Sequence, residues 1–243
     1  MLISEKQIRQ CSIEGTDGTI GTVKDVLFDG RNWIVRYFDV DTGEWLPGRR
    51  IVFYPTVIQT ADYATQRLVT SLGKEQVEKS PSVDSHLPVS RQKEMEIAQY
   101  YAWEAYWANV DLTRSETPRA KDDPELRSTQ AVSGYHIQAM DGEIGHIADF
   151  IIDDGALEGV PWEIRYLVVD TGNWLPGKHV LVPPLWAESI DWNQRIVQVG
   201  LTREMVENSP SFDPQALVNR QYEEVFYDYY GRPRYWTRVG HPA

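Results

Sequence analysis

The sequence predicts a mainly β protein made of two tandem small barrel-like domains, each followed by short C-terminal helices. Three observations carry this reading. The two halves of the chain repeat one another, the repeated stretch reads as short strands divided by turn signals, and no long helix-period segment interrupts those strands.

The repeat is dense. Asp17-Gly18-Thr19-Ile20-Gly21 returns as Asp141-Gly142-Glu143-Ile144-Gly145, and Asp25 and Asp29 return as Asp149 and Asp153, all at an offset of 124. Residues 33–48 (WIVRYFDVDTGEWLPG) match residues 162–177 (WEIRYLVVDTGNWLPG) at an offset of 129, with 11 of 16 positions identical. A five-residue insertion between Asp153 and Trp162 accounts for the change of offset. Farther on, Ser80-Pro81-Ser82, Arg91-Gln92, Tyr100-Tyr101 and Tyr106-Trp107 return as Ser209-Pro210-Ser211, Arg220-Gln221, Tyr229-Tyr230 and Tyr235-Trp236. Residues 112–131 are charged, carry two prolines and lack periodicity, which reads as a solvated linker. The domains are therefore placed at 1–111 and 132–243, each near the commonest domain size.

Within one copy, Asp141-Gly142 is a hairpin-turn signal that precedes a strand over 144–152. Residues 164–169 alternate with period two, and the second face, Arg165 apart, is also apolar, as in a largely buried strand. Asp170-Thr171-Gly172 then reverses the chain, because Asp bonds its own backbone two residues on and Gly accepts a positive φ. Strands are expected over 178–182, stopped by Pro183-Pro184, and over 195–199. Thr202 is a natural N-cap for a helix over 203–208, whereas Gly73 holds that position in the first copy. A second helix is expected over 90–107, with Ala98, Tyr101, Ala102 and Ala105 as its buried stripe. Trp45 and Trp174 are expected to enter the following strand and bury their rings.

Composition narrows the function. The net charge is −12, and neither half is basic. Nucleic-acid binding and attraction to anionic lipid both draw on basic residues, so neither is expected. No apolar run approaches the ~18 residues of a membrane span, and the N-terminal stretch has no apolar core of a secretory signal. With Cys11 as the lone cysteine, no internal disulfide is possible. A soluble, cytoplasmic, acidic protein is the expectation.

These motifs resemble the PRC-barrel family, named for the cytoplasmic domain of the photosynthetic reaction-centre H subunit. The marks are the D-G-x-I-G turn, the strand ending in V-D-T-G, and the W-L-P-G stretch, present at residues 17–21 with 40–48 and at 141–145 with 169–177. The resemblance implies a small β-barrel and a non-enzymatic role. In the H subunit the domain caps an electron-transfer complex; in a ribosome-maturation factor a similar domain binds a ribosomal protein. This chain lacks the former's N-terminal membrane helix and the latter's other domain, so no functional residue is carried over.

The residues themselves offer little chemistry. Asp39-x-Asp41-x-Gly43 has no Glu to close a calcium loop. The histidines (His86, His136, His146, His179, His241) do not recur between copies and show no metal-ligand spacing. Asp25, Asp29 and Asp41 could form a carboxylate pair, but their regular placement favours turns and caps. The repeated Trp33, Trp162, Trp45 and Trp174 read as packing residues rather than ligand platforms. No catalytic residue, metal or cofactor is expected. The aromatic clusters at the ends of the copies are the candidate interface: Tyr100, Tyr101 and Trp107 in the first, and Tyr229, Tyr230, Arg232, Arg234, Tyr235 and Trp236 in the second. Trp, Tyr and Arg concentrate at binding hot spots, so the expected role is binding another protein or self-association into a homo-oligomer. The alternatives are an accessory subunit of a membrane electron-transfer complex and an enzyme with a site between the barrels.

Overall fold

The computed structural model describes residues 1–83, 91–103, 126–155, 162–172 and 174–237. It is mainly β, with two seven-stranded sheets and a few short helices. In chain order come β1 (Leu2–Ser4), α1 (Glu5–Ile8), β2 (Ser12–Gly15), β3 (Gly18–Asp29), β4 (Val35–Asp41), β5 (Arg50–Phe53), β6 (Ile58–Asp62), β7 (Arg67–Thr70), α2 (Lys74–Glu78) and α3 (Arg91–Tyr101). Then follow β8 (Leu126–Ser128), α4 (Thr129–Val132), β9 (His136–Ala139), β10 (Gly142–Asp153), β11 (Glu163–Asp170), β12 (His179–Val182), β13 (Ala187–Asp191), β14 (Ile196–Val199), α5 (Arg203–Glu207) and α6 (Arg220–Tyr230).

The two sheets have one topology. The first runs β5-β4-β3-β2-β7-β6 and the second β12-β11-β10-β9-β14-β13. All neighbours are antiparallel except the pairs β2–β7 and β9–β14. Each is organised on one twelve-residue strand, β3 or β10, whose first part pairs β2 or β9 and whose other edge pairs β4 or β11. The last part of that long strand is covered from the other half of the sequence. β8 pairs β3, with Leu126 opposite Asp29 and Ser128 opposite Leu27. β1 pairs β10, with Leu2 opposite Asp153 and Ser4 opposite Ile151.

The compact units accordingly divide as Lys6–Gln130 and as Met1–Glu5 with Ala131–Ala243. This differs from the boundaries read in the sequence. Residues 126–128, placed there in a linker, are a strand of the first barrel, and the first residues belong with the second; residues 112–125 lie outside the described residues.

In the first barrel, Leu27, Tyr37, Val52, Tyr54 and Val83 form a core with Ile97 of α3 and Leu126 of β8. The second helix is shorter than the 90–107 expected. It ends at Tyr101, and Ala102 turns to φ 54°. Its inward positions are Glu94, Ile97 and Ala98, while Ala102 is exposed and Ala105 falls outside the described residues.

Gly21 and Gly145 explain the second glycine of the D-G-x-I-G motif. Each follows a bulge that turns Ile20 or Ile144 fully inward. A Cβ on Gly145 would lie 2.0 Å from the Asp170 carbonyl oxygen, and one on Gly21 would lie 2.3 Å from that of Asp41. The backbone of the first motif therefore rests against the first residue of the D-T-G turn. Gly172, at φ 57°, has open space where a Cβ would sit. Gly172→Ala should cost only its backbone strain, about 1–2 kcal/mol, whereas Gly145→Ala must also displace backbone. In thermal unfolding, Gly145→Ala is expected to lower the Tm of the second barrel clearly more than Gly172→Ala; equal shifts would refute the close-approach explanation.

Candidate functional site

The duplicated motifs converge on the short helix after the sheet. A five-residue helix is not stable by itself, and both copies fix it with the same parts. The Asp17 carboxylate accepts the Lys74 backbone N–H (2.9 Å), and Asp141 accepts that of Arg203 (2.8 Å). At the other end, Lys178 Nζ donates to the carbonyls of Val206 (3.1 Å), Glu207 (2.6 Å) and Ser209 (2.9 Å). Arg49 donates to those of Glu78 and Ser80 in the first copy. These cations sit where the unpaired carbonyls and the helix dipole favour them. Ser80 and Ser209 close the last turn by donating to Val77 (2.8 Å) and Val206 (2.7 Å).

The D-T-G-x-W-L-P-G segment is a second fixed piece. Asp41 and Asp170 accept the N–H of Gly43 (2.9 Å) and Gly172 (2.8 Å), and Thr42 and Thr171 donate to the carbonyls of Leu46 (2.9 Å) and Leu175 (2.7 Å). Trp45 and Trp174 do not enter a strand or bury their rings, as the sequence reading had it. Trp45 lies in a 3-10 turn, half-buried, with Nε1 donating to the Ile20 carbonyl (2.7 Å). Lys74 stands 5.4 Å over its ring, and Arg203 stands 4.4 Å over that of Trp174. The cation–π contacts tie the turn to the short helix in both copies, and the Trp45 hydrogen bond ties it to β3 in the first. Trp33 and Trp162 are buried as expected, Trp33 stacked on Phe28 at 5.0 Å.

The carboxylates considered in the sequence are likewise engaged. Asp25 accepts the hydroxyls of Ser128 and Thr129. Burial would raise Asp29, but hydrogen bonds from Arg31 and the charges of Arg31 and Arg36 outweigh it and hold the carboxyl below its usual range. Asp39 is raised by burial despite Arg50 at 2.8 Å. Cys11 is buried, which pushes its thiol up to about 11. His136 contacts Glu143 (2.7 Å) and His179 lies near Asp170 (3.9 Å); His86 and His241 lie outside the described residues. Among the described residues, no group of three His, Cys, Asp or Glu side chains is placed to hold a metal ion.

The candidate interface residues of the second copy sit on and just beyond α6. Asn219 caps this helix by accepting the Tyr222 N–H (2.9 Å), and Gly231 ends it in the left-handed region at φ 58°. Phe226, Tyr227 and Tyr230 are buried, and Trp186 stacks on Phe226 at 5.4 Å. Tyr230 therefore faces its own barrel, its hydroxyl pushed up to about 12 by burial. Tyr235 is half-buried and donates to Glu223 (3.0 Å). The outward members are Tyr229 (40% exposed), Arg232, 5.5 Å over Trp186, and Trp236, which Arg220 (4.0 Å) and Arg234 (5.8 Å) approach. Arg234 is held by Asp228 (2.8 Å). In the first copy, Tyr101 stacks on Trp103 at 4.2 Å and Tyr100 is exposed, its hydroxyl donating to the Gln76 carbonyl (2.8 Å); Trp107 lies outside the described residues.

The sequence reading missed Glu223. This carboxylate is 1% exposed and accepts hydrogen bonds from Tyr166 (2.6 Å) and Tyr235, with Arg220 at 2.9 Å. Burial raises its pKa in spite of those partners. Glu94 is the buried counterpart in the first copy. The signal was present: Arg91-Gln92-Lys93-Glu94 and Arg220-Gln221-Tyr222-Glu223 keep the Glu as well as the Arg-Gln.

Glu223→Ala would leave the buried Tyr166 hydroxyl without its acceptor, at about 1–3 kcal/mol, so the Tm should fall by several degrees. Glu223→Gln keeps an acceptor and removes the buried charge. The raised folded pKa means that the carboxyl's relative contribution is fully present below its unfolded value, ~4.3, and is lost as pH rises through the folded value. Glu223→Gln should therefore hold the Tm at neutral pH and reduce its fall between mildly acidic and neutral pH, read by thermal melts over that range.

The family comparison agrees with the geometry of the first barrel. A search of curated proteins finds no match to the chain. The PRC-barrel domain matches residues 4–77, a span that begins in β1 and closes within α2, taking in both duplicated motifs of the first copy and the helix they fix. Residues 4–77 of this chain are a PRC-barrel domain.

Proposed function

We propose that the chain is a non-catalytic protein-binding or assembly module, with the outward end of α6 as its contact surface. The observation that carries this reading is the arrangement around Trp236, a half-exposed indole approached by two guanidinium groups, with Tyr229 and Arg232 exposed nearby in sequence. By contrast, the most strongly repeated polar groups are spent on turns and helix ends. Trp, Tyr and Arg give large contact area and planar hydrogen bonding at low entropic cost. Arginines at this end of an otherwise acidic chain favour a partner whose contact surface is apolar at its centre and acidic at its rim.

The test is quantitative capture from an extract of the native host, comparing the full chain with Arg232→Glu and with Trp236→Ala. A protein held by the wild type is expected to fall about tenfold or more with each variant, a loss of about 1.4 kcal/mol, while Tm changes little for Arg232→Glu. An unchanged capture profile with both variants would overturn the reading.

A further inference from the structure

The edge at the end of each long strand is paired by a short strand from the other half of the sequence. The acceptor in the second barrel is residues 151–153 of β10, and in the first it is residues 27–29 of β3. Both take a three-residue strand antiparallel, in the same register, and both add the same side-chain bond. Ser4 donates to Asp149 (2.6 Å), and Ser128 donates to its repeat counterpart Asp25. The donors share Leu-x-Ser, Leu2 with Leu126 and Ser4 with Ser128. Ile3 is buried in the second barrel and Leu126 in the first, so side chains as well as backbone bonds hold the donors.

Each donor enters the barrel built by the other half of the sequence. After Ser4 the chain turns through α1 and continues as β2, on the same edge of β3 that β8 occupies farther along. The two donors therefore share direction, register and the Leu-x-Ser pattern, and each is seated on the acceptor of the other half. We propose that residues 27–29 and 151–153 are strand-acceptor sites that bind the N-terminal strand of another copy of the same module, which a separate chain can supply as well as the linked half. In the intact chain the linker gives the matching donor a high effective concentration; cutting it leaves two fragments that remain partners, each contributing a strand to the other's sheet. This inference does not depend on the α6 surface.

The experiment uses the full chain with a protease site inserted among residues 114–120. Isotope-labelled and unlabelled samples are cut, mixed at micromolar concentration and examined by native mass spectrometry. Hybrid one-to-one pairs of heavy and light fragments are expected. Two further full-length variants, Ser4→Cys with Ile151→Cys and Ser4→Cys with Leu27→Cys, are cut and mildly oxidised; the buried Cys11 thiol does not compete. The first should join the fragments covalently, and the second should not close a loop within the N-terminal fragment. Separation of the uncross-linked fragments, or a disulfide only in the second variant, would overturn the proposal. The cut chain without added cysteines decides it even if a cysteine variant fails to fold.

Discussion

One twelve-residue strand in each barrel must satisfy more neighbours than any other element, and the rest of the architecture follows from how it does so. At about 3.3 Å per residue, β3 and β10 outrun the four-residue strands beside them. Their first part takes β2 or β9, their opposite edge takes β4 or β11, and their last part would present unpaired backbone groups. An uncovered edge invites association. Here it is closed by β8 and β1, so that a sheet of seven strands draws six from one half of the sequence and one from the other.

The duplicated motifs serve this long strand from its other end. The bulge before Gly21 or Gly145 brings the strand backbone onto the Asp of the D-T-G turn, and the turn carries the Trp whose ring receives the first cation of α2 or α5. The Asp of D-G-x-I-G caps that helix, and the Arg or Lys after W-L-P-G takes its final carbonyls. Motifs separated by some thirty residues thus meet on one turn of helix. Substituting any of them loosens the others, which gives a physical reason for both copies to keep the same residues without sharing a ligand. The copies differ where packing alone decides: Asp39 with Arg50 in one is Val168 with His179 in the other.

Much of the fold was legible because the repeat supplied a second reading of each element. The turns at Asp170 and Gly172, the strand through Tyr166 and the Thr202 cap all follow local chemistry that short-range patterns report. Ser4 and Ser128 were not legible, because a three-residue strand has no periodicity and its pairing depends on a partner about 145 residues away for Ser4 and about 100 for Ser128. Trp45 was misread because a ring can be half-buried and still be held by a hydrogen bond and a cation. Of the candidate interface, composition located the aromatic cluster, but Tyr230 and Tyr229 are adjacent letters turned to different faces of a helix, and only the packing of α6 separates them.

The exchanged edge is the part of this account on which most depends, and amide hydrogen exchange resolved by residue tests it in the unmodified chain. Ile3, which lies in a hydrogen-bonded pair with Ile152, is expected to exchange as slowly as the strands of the second barrel and to lose protection together with β10 in denaturant. Arg127, opposite Phe28, should track β3 in the same way. Rapid exchange at Ile3 while β10 stays protected would show a frayed terminus, and the strand exchange would be contradicted.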